Sequence, residues 1–356
     1  MARDRRPAVV RPSQRRQQSR WQKEKARQRS IIIAGVVAIL FILAIPAYGY
    51  WSTFVAPPRS VVLQVDDSQY TLGYMLRYFK GLTAQGAELD MSTEPFNFLQ
   101  MLEESEIIRK GALGKGILLE PQAVDQEIRV RVLGSQESLV DVPPDQLERE
   151  FKEKYRQYLS TIRLSQKEYG RLVEADLMRT KLTEMLGQEV PSIAKQARLS
   201  WIVVTTENTE NPGQLAELSQ RLQQGEEFAA LAEEFSLDRT TAVNGGDLGW
   251  VPEGAYTPLD DTIFSLQPGE TSEGVPVDVN TYFLKVAETD EARAVEPAMI
   301  ARLKAVAFQT WLVQERGNHV IKLCFGGGSA GGSCDWQYDW LVKQMRESLP
   351  APTPSG

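Results

Sequence analysis

The side chains that could bind a metal are few in this chain. It has 356 residues but only one histidine, His319, and two cysteines, Cys324 and Cys334. A zinc site needs three or four nitrogen, sulfur or oxygen ligands that converge, so a zinc-finger or cysteine–histidine framework is excluded. The sequence therefore predicts a function that uses no metal.

A dense series of motifs lies between residues 225 and 270. It reads Gly225-x-x-Phe228-x-x-Leu231-Ala232-x-x-Phe235-Ser236, then Asn244-Gly-Gly-Asp-Leu-Gly-Trp250, then Phe264-x-Leu266-x-Pro268-Gly-Glu270. Over residues 198–290 these motifs resemble, in type and order, the parvulin (PpiC-type, rotamase) family of peptidyl-prolyl cis-trans isomerases. The segments on either side are similar in plan to PrsA- and SurA-like foldases, where a helical chaperone module precedes the parvulin domain.

The resemblance implies catalysis without nucleophile, metal or cofactor. Rotation about a peptide bond costs about 18–20 kcal/mol because resonance flattens the C–N bond. Exchange at X–Pro bonds takes tens to hundreds of seconds, which is slow enough to limit folding. A catalyst must bind the twisted amide more tightly than either planar form. The implied substrates are unfolded, newly exported polypeptides that contain X–Pro.

The resemblance also assigns a substrate pocket. Leu248, Tyr256, Leu259 and Phe264 take the positions that grip the proline ring, and Asp238 takes the acidic position beside the reacting bond. Asp238 could equally be a helix cap or a partner in a surface ion pair.

Two further candidate catalytic residues mark a departure from the family. Trp201 and Tyr282 stand where parvulins carry two histidines that hydrogen-bond to each other beneath the site. A tyrosine hydroxyl donates and accepts, whereas an indole N–H only donates. We expect the fold to tolerate the replacement of the histidines more readily than the catalytic hydrogen bonds do. The alternative role for Trp201 and Tyr282 is packing in the core.

The elements that position these residues alternate between strands and helices. Residues 199–205 are β-rich, 214–224 and 226–235 read as amphipathic helices, a short helix is expected near 258–264, and a final strand at 281–286. Before them, residues 91–190 read as a helical layer, with Pro143-Pro144 opening one helix and Ser165–Glu168 spaced as a capping box. Residues 296–322 and 336–349 also have a helical pattern. The predicted class is α+β, with a parvulin-like four-stranded sheet attached to a mainly helical domain.

An uncharged segment from Ser30 to Pro58 predicts a single transmembrane helix. Residues 1–30 hold 11 Lys/Arg and two acidic residues, whereas the remainder holds 29 basic and 45 acidic residues. This asymmetry favours a cytoplasmic N-terminus and an extracytoplasmic bulk, in the cell membrane. The alternatives are a signal peptide cleaved near Ala47–Gly49 and an arginine-rich arm that binds nucleic acid, although the acidic remainder argues against nucleic acid. Because no cysteine follows the segment before Cys324, an N-terminal lipoprotein is excluded.

The predicted organisation has six parts. They are a basic tail at 1–30, an anchor at 31–54, a helical SurA-like domain at 55–197, the parvulin-like domain at 198–290, C-terminal helices at 291–349 that pack on the helical domain, and a disordered tail at 350–356. On the oxidising side of a membrane, Cys324 and Cys334 could form a disulfide, with free thiols as the alternative.

Three functions remain open at this stage. The first is a membrane-anchored isomerase and foldase. The second is a holdase chaperone in which the parvulin-like domain binds unfolded clients with weak or no catalysis, as the missing histidines would suggest. The third is an envelope scaffold that holds one membrane partner. Oligomeric state cannot be predicted from these patterns.

Overall fold

The computed structural model describes residues 13–120, 122–134, 143–206, 213–328 and 334–347. The predicted disordered tail at 350–356 and residues 1–12 of the predicted basic tail lie outside the described residues. The chain divides into two compact units. The first comprises Met1–Pro95, Thr161–Leu164 and Lys322–Gly356, and the second comprises Phe96–Ser160 and Ser165–Ile321.

The helices, in chain order, are α1 (Ser13–Tyr50), α2 (Leu72–Ala84), α3 (Glu94–Gly114), α4 (Ala123–Leu133), α5 (Pro144–Ile162), α6 (Gln166–Gly187), α7 (Gln214–Gln223), α8 (Phe228–Phe235), α9 (Arg239–Ala242), α10 (Asp260–Ser265), α11 (Pro297–Arg316) and α12 (Asp335–Arg346). The strands are β1 (Val61–Val65), β2 (Ser68–Thr71), β3 (Ile193–Thr205), β4 (Asp247–Pro252), β5 (Val275–Val277), β6 (Asn280–Ala294) and β7 (Ile321–Leu323).

Helix α1 continues through one π-helical turn, Trp51–Val55. Within the described residues, the stretch Arg27–Val55 is the one helix whose length and apolar composition would let it cross a membrane. Its apolar side chains from Ile31 to Ile45 are exposed on all sides, as a helix surrounded by lipid would be.

The first unit is built around a three-stranded sheet in the order β2-β1-β7. Helix α2 packs on α12, and Leu63, Met75, Phe79 and Phe325 are buried. A disulfide joins Cys324 and Cys334, whose Cα atoms are 5.2 Å apart, and the Cys324 N–H donates to the Val62 carbonyl at 2.9 Å. Strand β7 and the disulfide therefore fix the segment that leads into α12.

The second unit contains a four-stranded antiparallel sheet in the order β4-β3-β6-β5. Side chains alternate between its faces because the strand period is two. Ile202, Val204 and Phe283 pack under α7 and α8, whereas Leu199, Trp201, Tyr282 and Leu284 lie on the opposite face with α10. The predicted α+β class with a four-stranded sheet is confirmed.

Strands β3 and β6 are longer than the sequence predicts. They pair continuously from Ile193 opposite Ala294 to Thr205 opposite Asn280, with two bulges. Residues 193–198 are extended although Lys195, Gln196 and Arg198 are poor strand formers, because pairing with β6 overrides local preference.

Helices α6 and α11 pack together in the second unit. A guanidinium on α6, that of Arg179, lies 5.1 Å from the ring centre of Phe308 on α11. The Ser165–Glu168 capping box is confirmed at the start of α6, with the Ser165 N–H donating to Glu168 Oε2 at 2.7 Å. The helix predicted over 296–322 ends earlier, at Arg316, and residues 321–323 form β7, which pairs with β1.

Candidate functional site

Asp238 and Trp201 meet beside the middle of β3, on the face of the sheet that carries α10. The Trp201 Nε1–H donates to Asp238 Oδ2 at 2.9 Å and to Thr241 Oγ1 at 3.1 Å. Asp238 is the N-cap of the short helix α9, where its carboxylate accepts from the Thr240 N–H at 3.2 Å. The helix-cap role considered for Asp238 is therefore present, while its role beside a reacting X–Pro bond stays a prediction.

The Asp238 carboxylate is surrounded by donors. Its Oδ1 accepts from the Thr240 hydroxyl at 2.5 Å, and its Oδ2 accepts from the Thr241 hydroxyl at 2.7 Å. Partial burial opposes ionisation, but the hydrogen bonds from Thr240, Thr241 and Trp201 outweigh it and lower the pKa of Asp238 to about 2. The group is therefore a carboxylate at any physiological pH.

Trp201 contacts two further aromatic rings. Its ring centre lies 5.1 Å from that of Tyr256, edge to face, and 5.6 Å from that of Tyr282. All three side chains are half-buried. Trp201 and Tyr282, which were predicted at the histidine positions of the family, are thus in ring contact, and the indole N–H donates to Asp238 and Thr241.

The four predicted pocket residues share one hydrophobic cluster. Leu248, Tyr256 and Phe264 are half-buried at its surface. Leu259 is only 4% exposed and lies within the core of the cluster. The first three therefore offer apolar surface to solvent, whereas Leu259 is covered by the cluster.

The loop that carries Tyr256 is held from several sides. The Gly254 N–H donates to Asp260 Oδ2 at 2.9 Å, and the Leu259 N–H donates to the Tyr256 carbonyl at 2.7 Å. Burial raises the pKa of the Asp260 carboxyl. Gly254 has φ of +91°, a conformation that favours glycine.

Arg302 on α11 contacts this loop, and the sequence did not predict that contact. Its Cζ lies 3.6 Å from the centre of the Tyr256 ring, and its Nε–H donates to the Ala255 carbonyl at 2.7 Å. Burial raises the pKa of Tyr256, and the Arg302 cation opposes that rise. Nothing in the local pattern of the helix pointed to this contact, since Arg302 lies outside the parvulin-like residues 198–290.

Thr241 was also missed, although a signal was present. A Ser or Thr three residues after an Asp that begins a helix commonly has its hydroxyl within reach of that carboxylate. Its hydroxyl here connects Asp238 with Trp201.

The glycine motif brings β4 against β3. The Trp201 N–H donates to the Gly246 carbonyl at 3.0 Å, and Asp247 accepts from the Gly249 N–H at 2.8 Å. Gly246 has φ of +82°, and a Cβ there would overlap the Trp201 carbonyl oxygen. This close approach requires glycine and sets the position of Trp201.

Within the described ranges, His, Cys, Asp and Glu side chains form no group of three or more that could hold a metal ion. The side chains that the structure brings together here offer a carboxylate, hydroxyls, an indole and apolar surface. These groups can bind an amide and alter its charge distribution.

A family model for the PPIC-type PPIASE domain matches residues 180–290. The foldase protein PrsA of Geobacillus kaustophilus is 30% identical over 196 residues, which are 52% of this chain and 66% of PrsA. The chaperone SurA of Nitrosococcus oceani is 27% identical over 148 residues, which are 40% of this chain and 35% of SurA. The periplasmic chaperone PpiD of Haemophilus ducreyi is 38% identical over 94 residues, which are 26% of this chain and 15% of PpiD.

The chain spans less than two thirds of the length of each of these curated relatives. The match covers the part of the site from Trp201 on β3 to Tyr282 on β6 but not Arg302 on α11. Residues 180–290 therefore form a parvulin (PpiC-type) rotamase domain, and the chain is homologous to the PrsA and SurA foldases.

Proposed function

We propose that this chain is a peptidyl-prolyl cis-trans isomerase that assists the folding of exported proteins. One observation carries the proposal: an ionised Asp238 lies beside the aromatic surface of Trp201, Tyr256 and Tyr282 within a rotamase domain. The relatives described as foldase and chaperone support the same function.

The apolar surface binds the proline. Leu248, Tyr256 and Phe264 present half-buried apolar groups on one cluster. Covering this surface with a proline ring removes apolar area from water, at roughly 25 cal/mol per Å². Because the ring is rigid and the cluster is packed, the X–Pro bond is held at a fixed place beside Asp238.

The carboxylate favours the twisted amide. A planar amide carries partial negative charge on its oxygen because the nitrogen lone pair is delocalised. Twisting ends that delocalisation and returns electron density to the nitrogen. An anion close to the carbonyl oxygen therefore destabilises the planar form more than the twisted one, which lowers the barrier. The Trp201 N–H moderates this effect, because it already donates to the same carboxylate.

Exchange NMR on X–Pro peptides with the full chain in detergent tests the proposal. Wild type should accelerate cis-trans exchange over the uncatalysed rate. Asp238→Asn removes the charge and should lower the catalysed rate by roughly tenfold, equivalent to about 1.4 kcal/mol of barrier. Asp261→Asn, an acidic residue in the first turn of α10, is the matched control and should retain the wild-type rate.

A wild-type exchange rate equal to the uncatalysed one would refute the isomerase. A catalysed rate unaffected by Asp238→Asn would leave isomerase activity in place but remove the carboxylate from the mechanism.

A holdase is the second candidate, favoured by a groove in the helical layer. This groove between α4 and α5 has a volume of about 600 Å³. Its apolar lining comes from Ile128, Phe151, Tyr155 and Leu159, and its charged lining from Asp125, Arg129, Lys152 and Arg156. Arg129 and Lys152 already pair with Glu148, so the apolar lining is the part that an unfolded apolar segment would complement.

Aggregation assays with an unfolded client separate this candidate from the first. Phe151→Ala should weaken the suppression of aggregation, because Phe151 lines the groove and stacks on Tyr155 at 5.4 Å between ring centres. Val130→Ala, an exposed change on α4, should have no effect. Equal suppression by wild type and both variants would exclude the groove as the client site.

We also propose that the chain is anchored by one span, with its N-terminus in the cytoplasm and the rotamase domain outside. The apolar helix Arg27–Val55 and the basic tail support this topology, and a disulfide between Cys324 and Cys334 suits an oxidising compartment. The boundaries predicted for the helical, rotamase and C-terminal parts remain predictions. Protease added outside intact spheroplasts should digest the rotamase domain and spare an N-terminal epitope; protection of both would contradict the topology.

A further inference from the structure

Two tryptophans share one side of helix α12. Trp336 and Trp340 are four residues apart, so their side chains lie one turn above the other. Trp336 is 44% exposed, which is unusual for so large an apolar ring. The opposite side of the helix is firmly packed, because Gln337, Leu341 and Met345 are buried.

Trp340 links α12 to the end of the apolar helix. Its Nε1–H donates to the Thr53 carbonyl at 3.2 Å. The Tyr338 hydroxyl donates to the Met91 carbonyl at 3.2 Å, and the disulfide from Cys334 fixes the residue before the helix. The position of α12 beside residue 53 is therefore held by contacts at several points within the first unit.

The length of the apolar helix places Thr53 at a definite depth. From Ile31 to Trp51, at 1.5 Å per residue, the helix is about 31 Å long, which matches a hydrocarbon core of about 30 Å. Thr53 follows within one turn and so falls in the headgroup layer. The exposed rings of Tyr48, Tyr50, Trp51 and Phe54 surround the same level.

The chemistry of α12 fits that layer. Indoles favour the region between hydrocarbon and water because they are apolar with one N–H donor. The charged side chains of the helix, Asp335, Asp339, Lys343 and Arg346, include both signs, so attraction to anionic lipid does not account for the surface.

We propose that α12 lies on the outer surface of the bilayer, with Trp336 and Trp340 in the headgroup layer, as a second membrane contact beside the span. This inference rests on the proposed anchor. It would give the first unit a second contact with the membrane in addition to the span.

Tryptophan quenching in vesicles tests the inference. The full chain is reconstituted in phosphatidylcholine vesicles and in vesicles of phosphatidylcholine brominated on its acyl chains near the headgroup. The quenched emission is the tryptophan fluorescence in plain vesicles minus that in brominated vesicles. Trp336→Phe should have a smaller quenched emission than wild type. Trp51→Phe should also have a smaller one, because Trp51 reports insertion of the span. Trp311→Phe, whose ring is buried in protein, should leave the quenched emission unchanged.

The outcomes distinguish insertion of the span from the α12 contact with the membrane. If Trp51→Phe lowers the quenched emission and Trp336→Phe does not, the span is inserted and the α12 contact is refuted. If neither lowers it, the anchor fails and the inference falls with it. Trp336→Leu is a second variant at the same exposed position and should reproduce Trp336→Phe; circular dichroism verifies that each variant is folded.

Discussion

Asp238 holds its charge through hydrogen bonds to its immediate neighbours. Thr240 and Thr241 follow it in sequence, and the Trp201 indole reaches it from β3. Because Asp238 both caps α9 and contacts Trp201, the position of its carboxylate depends on the first turn of α9. Any change that loosens α9 should therefore alter the carboxylate as well.

The lowered pKa of Asp238 predicts a pH dependence of stability. The folded pKa is about 2, below the ordinary value near 3.9 for an unfolded Asp. The ionised group thus stabilises the fold above about pH 4, and that contribution is lost as the pH falls from about 4 to about 2. Urea unfolding of Asp238→Asn should show a smaller loss of unfolding free energy over this range than wild type.

Asp261→Asn serves as the control in the same titration and should follow the wild-type curve. If wild type and Asp238→Asn lose stability in parallel between pH 4 and pH 2, the hydrogen bonds to Asp238 do not stabilise its charge.

The sequence assigned residues to the site but could not predict the contacts between them. Asp238, Trp201 and Tyr282 were identified through family positions, but the hydrogen bond from the indole to the carboxylate depends on how β3 and α9 approach each other. Arg302 could not be found, because its contact with Tyr256 joins segments far apart in sequence. The depth of Leu259 follows from the packing of α10, which no pattern specifies. The residue assignments themselves stay predictions until tested.

Among the elements, the turn before β4 depends on one glycine. Gly246→Ala should destabilise strongly, because alanine at φ +82° is strained and its Cβ would overlap the Trp201 carbonyl oxygen. Left-handed backbone costs alanine about 1–2 kcal/mol, and overpacking typically adds about 1–3 kcal/mol. Chemical denaturation measures the total.

Gly225→Ala is the matched comparison for that variant. Gly225 has φ of +80°, but a Cβ there would have nothing within 4 Å. Gly225→Ala should therefore lower the free energy of unfolding only by the cost of placing alanine in a left-handed backbone conformation. Equal losses in the two variants would show that β4 can shift away from β3.

Helix α11 supports the site through Arg302. Arg302→Met should lower the free energy of unfolding by about 1–2 kcal/mol, since it removes a cation–π contact and a hydrogen bond to Ala255. It should also raise the pKa of Tyr256, because the cation opposes the effect of burial. Spectrophotometric titration of tyrosine measures the second effect.

Arg302→Lys keeps the charge but not the planar guanidinium, so it should restore the pKa of Tyr256 more fully than the stability. An unchanged Tyr256 pKa in Arg302→Met would indicate that the cation does not act on the ring.

The elements themselves were largely predictable where periodicity was strong. Helices α5 to α8 begin within a few residues of their predicted starts; Pro144 marks the start of α5, and the Ser165 cap marks that of α6. The ends of β3 and β6 were not predictable, since polar residues 193–198 are extended only by pairing with a distant strand. Strand β7 was predicted as the end of a helix, because its partner β1 is near the other end of the chain.

For the whole molecule, the disulfide is the covalent constraint on α12. The cysteines are 10 residues apart in sequence, so closing the loop should contribute about 3 kcal/mol on a chain-entropy basis. Replacing both Cys324 and Cys334 by Ser should lower the unfolding free energy of the first unit by about that amount. Urea unfolding with and without reductant measures it.

The double variant should be insensitive to reductant, which provides the internal control. A wild-type midpoint that does not change on reduction would mean that the bond adds nothing to stability.

The ribbon formed by the outer ends of β3 and β6 also has an architectural consequence. Ile193 and Ala294 face each other across the ribbon, shortly after α6 ends at Gly187 and shortly before α11 begins at Pro297. The chain thus enters the rotamase sheet at Ile193 and leaves it at Ala294, and these two residues are adjacent. The rotamase domain is therefore an insertion between α6 and α11. A short loop that joined α6 directly to α11 would remove the domain and leave the packing of these two helices in place.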